Sequence, residues 1–168
     1  KVCPKTSSNP QQSSSSPTTK DKILTGSFPI ENQESFHRRL LKNLNFNGRL
    51  DISVHPFSTS FSPSDVRITT RFNPNEWHQA LAGTLHEYGH SLYESNIPDK
   101  AEPVNSYLSM GMHESQSLFW ERHVGLSEAY WKYAGKLVRD ELGVQGSDEE
   151  IYKVVNSVER SFIRVEAD

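Results

Sequence analysis

Two histidines four residues apart constrain the folding of this chain more than any other feature of its sequence. They enclose the segment His86-Glu87-Tyr88-Gly89-His90. Residues i and i+4 of an α-helix project from one face, so both imidazoles can bind one metal ion if the segment is helical. The pattern predicts such a helix. Five-residue patterns also recur by chance, and in that alternative the same side chains merely occupy a helix surface.

A catalytic zinc site usually has three protein ligands and an open position for water, whose acidity the metal raises. Glu87 is placed to accept the proton of that water. The best candidate for the third ligand is Glu114, 24 residues beyond His90 on the next predicted helix. His113 competes with it, because adjacent helical residues point about 100° apart and would not both face the ion. Glu94 is either a solvated charge or a partner that orients an imidazole.

Charge and cysteine content exclude several other classes of protein. The formal net charge is −3, and no cluster of Lys and Arg interleaves with aromatic residues, so nucleic acid is not an expected partner. No run approaches the ~20 apolar residues that span a bilayer, so no membrane association is expected. Cys3 is the single cysteine and cannot form an intrachain disulfide, which makes the cytoplasm the expected location.

The composition changes along the 168 residues and predicts two regions. Ser, Thr, Pro, Gln and Asn dominate residues 4–20, and such a segment buries too little apolar surface to offset its ordering entropy. We therefore expect a disordered arm or linker over residues 1–27 and a partial catalytic domain over residues 28–168. The sequence begins without Met and ends at Asp168 within an apolar helical pattern, so we expect a piece of a longer protein.

Apolar residues at helical spacing dominate the second region and predict a mainly α fold. A small β-sheet is expected beside the helix of the two histidines, from strands at residues 50–57 and 66–72. That helix is predicted to begin at Asn73-Pro74-Asn75-Glu76, with an Asn cap and Pro in the first helical position, and to end before Pro98. The other predicted helices are Glu31 to Leu44, Val104 to about Val124, Glu128 to Leu142 with Gly143 as C-cap, and one opening with a capping box at Ser147. Trp77, Trp120 and Trp131 are expected in the core.

Four further motifs accompany the histidine pair in a fixed order. They are His55-Pro56-Phe57, Asp65-Val66-Arg67-Ile68-Thr69, His113-Glu114-Ser115-Gln116 and Ile163-Arg164-Val165-Glu166-Ala167-Asp168. Residues 86–90 form the motif HExxH. Together with it, these four motifs resemble those of the carboxypeptidase Taq family of metallocarboxypeptidases, which carries HPF, DxRxT, HESQ and IRxxAD. The resemblance implies that His86, His90 and Glu114 bind the metal and that Glu87 is the general base and acid.

The other motif residues have both a functional and a structural interpretation. As substrate-binding or cleft residues we consider His55, Asp65, Arg67, Thr69, His113 and Arg164. Asp65, Arg67 and Thr69 alternate on a predicted strand and share one face, so a buried Asp–Arg pair could instead tie that strand to a helix. His55 could be a hydrogen-bonded core histidine beside Phe57 in the core.

The resemblance implies a helical metallopeptidase scaffold that removes single residues from peptide C-termini by attack of a metal-activated water. It also implies one divalent ion per chain and a homodimer. Zinc fits the ligand types, and cobalt fits them equally well. Family members are considerably longer than this chain, and their later motif GxxQDxHW would fall beyond Asp168. Two alternatives remain open: an oligopeptide endopeptidase, and a truncated metal-binding chain without catalysis.

Overall fold

The computed structural model describes residues 19–98 and 107–158. This part of the chain is mainly α-helical, with one small sheet. The α-helices are α1 (Thr19–Leu24), α2 (Ile30–Asn43), α3 (His78–Ser95), α4 (Met110–Leu118), α5 (Glu128–Leu142) and α6 (Asp148–Val155). A π-helical segment, Phe119–Val124, directly continues α4. None of the described helices is both long and apolar enough to cross a membrane.

Three strands form the sheet beside α3: β1 (Arg49–Ile52), β2 (Phe57–Ser62) and β3 (Asp65–Thr70). Their order is β1-β3-β2, with β1 parallel and β2 antiparallel to β3. Val66, Ile68 and Thr70 are buried on one face of β3, where the sheet packs against α3. The predicted sheet is confirmed, but the strand predicted at 50–57 ends at Ile52 and β2 was missed. The apolar residues of β2, Phe57 and Phe61, point outward and are 51% and 71% exposed. The segment therefore lacks the alternation of buried apolar residues that predicts a strand.

The main core lies among α2, α3, α5 and α6. Trp77 and Trp131 are fully buried and meet edge to face, with ring centroids 6.0 Å apart. The indole of Trp77 also donates to the carbonyl oxygen of Ile23 at 2.8 Å, which satisfies its one polar group. Trp120 is only partly buried, at the edge of the core. The expected core position is therefore confirmed for two of the three tryptophans.

The segment that joins the predicted arm to the domain is ordered in the structure. Ile23 of α1 is 3% exposed in the core. The backbone N–H groups of Gly26 and Phe28 donate to the carbonyl oxygens of Asn75 and Pro74. Ile23 and these backbone bonds thus hold the end of the predicted arm, residues 19–27, against the domain. Residues 1–18 lie outside the described residues.

Two helices, α5 and α6, have the ends that their local capping signals predict. α5 has the predicted bounds Glu128–Leu142, and Gly143 follows it with φ 69°. α6 opens with the predicted capping box: Ser147 Oγ accepts from the N–H of Glu150, whose carboxylate accepts from the N–H of Ser147 at 2.8 Å. Because such caps involve residues within one turn, they can be identified without knowledge of the tertiary fold.

Two helix boundaries differ from the prediction. α3 begins at His78, because residues 73–76 form a turn that pairs with Thr25; Glu76 then accepts from the N–H of Gln79. The helix predicted from Val104 to Val124 is α4 followed by the π-helical segment. The part of that prediction over residues 104–106 lies outside the described residues.

Candidate metal centre

Close packing of α3 against α4 builds the site, and Gly89 makes that packing possible. A Cβ atom on Gly89 would lie 2.5 Å from the carbonyl oxygen of Gln116 and 2.6 Å from Cα of Ser117. Any larger residue would push the helices apart. Later residues of α3 contact earlier residues of α4 and its π-helical continuation, so the two helices are antiparallel.

Three candidate ligand atoms converge on one point between these helices. Oε2 of Glu114 lies 3.3 Å from Nε2 of His90 and 3.7 Å from Nε2 of His86. One ligand atom from each of the three residues lies within 4.8 Å of the others. Tetrahedral ligands at ~2.0–2.1 Å from a zinc ion are separated by roughly 3.3–3.4 Å. The donor types and the spacing therefore fit one zinc-type ion, and they fit cobalt equally.

His86 has a carboxylate partner on the side away from this point. Its Nδ1 lies 2.8 Å from Oε2 of Glu121, which is carried by the π-helical segment. Glu121 was not predicted from the sequence. Its place on the same predicted helix as Glu114 was the available signal, but the angular spacing of an α-helix does not hold on a π-helical segment.

His90 also has a partner at Nδ1, but that partner is an imidazole. Nδ1 of His90 lies 2.6 Å from Nδ1 of His113, and Nε2 of His113 lies 2.7 Å from Oε1 of Glu94. Both ring nitrogens of His113 are thus engaged behind His90. This placement favours Glu114 over His113 as the third ligand. It also makes Glu94 a partner of an imidazole and not a solvated charge.

The charges around the site favour a bound cation. Burial lowers the pKa of His86, but the hydrogen bond to Glu121 and the negative charges of Glu87 and Glu114 outweigh it, so that pKa is raised. The hydrogen bond from His86 in turn lowers the pKa of Glu121. Burial and the neighbouring imidazoles of His113 and His86 lower the pKa of His90. Three carboxylates thus surround His86, and a metal ion would balance their charge.

Glu87 is the buried carboxylate of this group. Glu87 is 7% exposed, and its negative charge helps to raise the pKa of the adjacent His86. A carboxylate is one of the side chains that can accept a proton from a water molecule.

The chain matches the family model described as carboxypeptidase Taq (M32) metallopeptidase over residues 6–168. The chain belongs to this family. Carboxypeptidase 1 of Bacillus subtilis is 39% identical over 154 residues, which cover 87% of this chain and 31% of that protein. Thermostable carboxypeptidase 1 of Thermus thermophilus is 41% identical over 153 residues, which cover 87% of this chain and 30% of that protein.

Solved structures from the same family agree with the fold. Trypanosoma cruzi metallocarboxypeptidase 1 superposes with a TM-score of 0.76 at 35% identity, covering 85% of this chain and 30% of that one. The M32 carboxypeptidase from Deinococcus radiodurans gives a TM-score of 0.77 at 39% identity, covering 88% and 31%. The family resemblance and the mainly α fold class are confirmed. The chain spans about a third of the length of these relatives.

The family's HPF motif lies on the surface between β1 and β2. His55 is exposed, and Phe57 is 51% exposed. The alternative that placed both residues in the core is therefore wrong for the described part of the chain. Pro56 faces Gly83 of α3, so the motif lies near the start of the helix that carries the histidines.

The DxRxT motif forms β3, and its three polar residues share the outer face as expected. Arg67 makes two hydrogen bonds of 2.9 Å to Asp65, and their side chains are 42% and 44% exposed. The alternative in which a buried Asp–Arg pair ties this strand to a helix is wrong, because both side chains are partly exposed and bond to each other. Thr69 is 6% exposed; its Oγ1 lies 3.2 Å from the carbonyl oxygen of His55 and 3.0 Å from the N–H of Phe57.

The structure thus brings four motif residues together at the candidate metal centre: His86, Glu87, His90 and Glu114. His113 joins them from behind His90. Thr69 fastens the HPF loop to the sheet, whereas Asp65 and Arg67 make their hydrogen bonds to each other. Arg164 lies outside the described residues.

Proposed function

We propose that the protein to which this chain belongs is a metal-dependent carboxypeptidase that releases single amino acids from peptide C-termini. The observation that carries the proposal is the clustering of one ligand atom from each of His86, His90 and Glu114 within 4.8 Å of one another. Within this cluster, His90 Nε2 and Glu114 Oε2 are 3.3 Å apart, the separation expected of tetrahedral zinc ligands. Membership of the carboxypeptidase Taq family supports the choice of peptides as substrates.

His86, His90 and Glu114 would hold one zinc or cobalt ion. When bound, the ion supplies a positive charge that acidifies water and polarises a peptide carbonyl. Glu87 accepts the proton of the attacking water and delivers it to the nitrogen of the leaving amino acid. Glu121 holds the ring of His86 in place through Nδ1, so that its Nε2 stays directed at the ion.

The restriction to C-terminal residues comes from the family, since the metal centre alone explains only amide hydrolysis. Both curated relatives are named carboxypeptidases, and each is about three times as long as the aligned segment. A free C-terminal carboxylate, a homodimeric assembly and a cytoplasmic location belong to this proposal for the whole protein.

The experiment uses the full chain encoded by the reading frame around this segment, loaded with zinc or cobalt. Two peptides of the same sequence are offered, one with a free C-terminus and one with a C-terminal amide. The proposal expects stepwise release of single amino acids from the free peptide alone. Internal cleavage of both peptides would instead identify an endopeptidase. One bound ion without any hydrolysis would identify the metal-binding alternative, and either result would overturn the proposal.

A further inference from the structure

Behind the metal centre, three side chains form a continuous hydrogen-bonded chain from a carboxylate to a candidate ligand. It runs from Glu94 Oε1 to His113 Nε2 over 2.7 Å, and from His113 Nδ1 to His90 Nδ1 over 2.6 Å. The side chains are little exposed, at 23% for Glu94, 14% for His113 and 13% for His90. Water therefore competes weakly for these bonds.

Only one arrangement of protons satisfies this chain when His90 binds a metal. A ligating Nε2 must be unprotonated, so neutral His90 carries its proton on Nδ1 and donates it. The nearest acceptor is Nδ1 of His113, which must then carry its own proton on Nε2. That proton is donated to Glu94, which as a carboxylate only accepts. Each donor faces one acceptor.

The ring of His113 is also held by its surroundings. Tyr93 and Tyr107 meet it edge to face, with ring centroids 5.4 Å and 5.7 Å from that of the imidazole. Glu94 lies one helical turn beyond His90 on α3, whereas His113 comes from α4. The imidazole thus bridges two helices and couples the orientation of His90 to the packing of α3 on α4.

The two candidate histidine ligands are therefore supported in different ways. His86 bonds directly to the carboxylate of Glu121, and His90 reaches a carboxylate only through a second imidazole. A histidine that donates its free N–H to a carboxylate or another acceptor is fixed in tautomer and becomes a more basic ligand. Glu94 can exert this effect on His90 only if His113 transmits it.

We propose that Glu94 and His113 act as one positioning unit for His90, in which Glu94 fixes the tautomer of His113 and His113 fixes that of His90. The inference rests on the proposed function insofar as His90 is a metal ligand. His113 is then a positioning residue, without contact to the ion or the peptide.

The test is a double-mutant cycle on the full chain, with zinc affinity measured by competition against a chromogenic chelator. Glu94→Ala and His113→Phe should each weaken zinc binding about 10–100-fold. The double variant should bind no more weakly than His113→Phe alone, because Glu94 acts only through His113. His113→Asn, which keeps an acceptor toward His90, should recover part of the affinity. Glu128→Ala, which removes an exposed helix carboxylate paired with Lys132, is the control and should match the unmodified chain.

A second measurement separates positioning from ligation. The visible spectrum of the cobalt-loaded chain reports ligand number and geometry, and it should keep its four-coordinate character in His113→Phe while the affinity falls. Unchanged affinity in both single variants, multiplicative losses in the double variant, or no metal binding by the unmodified chain would each overturn the inference. Failure of the proposed function is distinct, since these affinities would then be as expected while the peptides are cleaved internally or not at all.

Discussion

Gly89 of α3 lies directly against the backbone of Gln116 of α4, in the turn between the two candidate histidine ligands. This contact sets the distance between the helices, and hence the distance from His90 to Glu114. The geometry of the metal centre therefore depends on a residue that has no side chain.

Gly89→Ala should weaken metal binding and lower the free energy of unfolding by about 1–3 kcal/mol, because the new methyl group forces the helices apart. Gly83→Ala on the same helix is the matched control, since its Cβ would meet Pro56 at 3.5 Å, an ordinary contact. That control should be neutral or gain up to ~1 kcal/mol from helix propensity. Urea unfolding and zinc titration of both variants check the prediction, and equal behaviour of the two would contradict it.

Glu87→Gln should leave metal content intact and lower turnover about 10²–10⁴-fold, because it removes the proton acceptor and none of the ligands. Metal analysis after gel filtration and the rate of amino acid release from a free peptide measure the two effects. Unchanged peptide hydrolysis in this variant would rule out the role given to Glu87.

Removing the third ligand should reduce bound metal far more than removing its neighbour. Glu114→Ala deletes a candidate ligand atom, whereas His113→Ala deletes only the support behind His90. Metal stoichiometry at increasing zinc concentration compares the two variants. If His113→Ala loses the ion first, His113 is the ligand and Glu114 is not.

Sequence alone predicted the parts of this site that depend on local geometry. The spacing of His86 and His90 on one helix, and the capping box at Ser147, involve contacts within one or two turns. The support for the ligands could not be predicted so directly. Glu121 reaches His86 from a π-helical segment, where the angular spacing of an α-helix no longer applies, and His113 reaches Glu94 across two helices.

Tertiary contacts also explain why the predicted start of α3 and the predicted strands differ from those in the structure. In place of the cap predicted at Asn73, the chain forms a turn whose Glu76 pairs with Thr25, 51 residues earlier in the chain. β2 could not be predicted from apolar alternation, because its aromatic side chains point outward. The periodicity of apolar residues predicts which face of a helix or strand is buried. The prediction fails where, as in β2, the apolar residues are exposed.

Buried His37 should make folding depend on pH. Burial lowers its pKa from 6.5 to about 4, while its Nδ1–H donates to the carbonyl oxygen of Gln33 at 2.7 Å. Because the unfolded chain takes up this proton first, the stabilisation is complete above pH 6.5 and is lost as pH falls toward 4. The loss between pH 7.5 and pH 5 should be about 2 kcal/mol.

Urea midpoints of the unmodified chain and of His37→Leu, measured at both pH values, isolate this group from the other histidines. Leucine cannot titrate, so the variant should lose less stability on acidification although it is less stable at pH 7.5. Parallel pH profiles for the two proteins would contradict the assignment of the effect to His37.

The 168 residues expressed alone should bind metal more weakly than the full chain and should self-associate. The relatives are about three times as long as the aligned segment, and several large apolar side chains are exposed here. On the side of the sheet, Val54 is 74% exposed and Phe61 is 71% exposed. At the start of α4, Leu108 is 77% exposed and Met110 is 71% exposed. Large exposed apolar surfaces seldom stay solvated, and self-association would disturb ligands that must be held to within about 0.5 Å.

Size-exclusion chromatography and zinc titration of the 168 residues, beside the full chain, test this expectation. Phe61→Thr combined with Met110→Gln should reduce the self-association, because both changes remove exposed apolar surface without touching a candidate ligand. Ser64→Thr, at an exposed polar position next to β3, is the control and should not alter it. A monodisperse monomer with the zinc affinity and turnover of the full chain would show that these residues fold into a complete site without further segments.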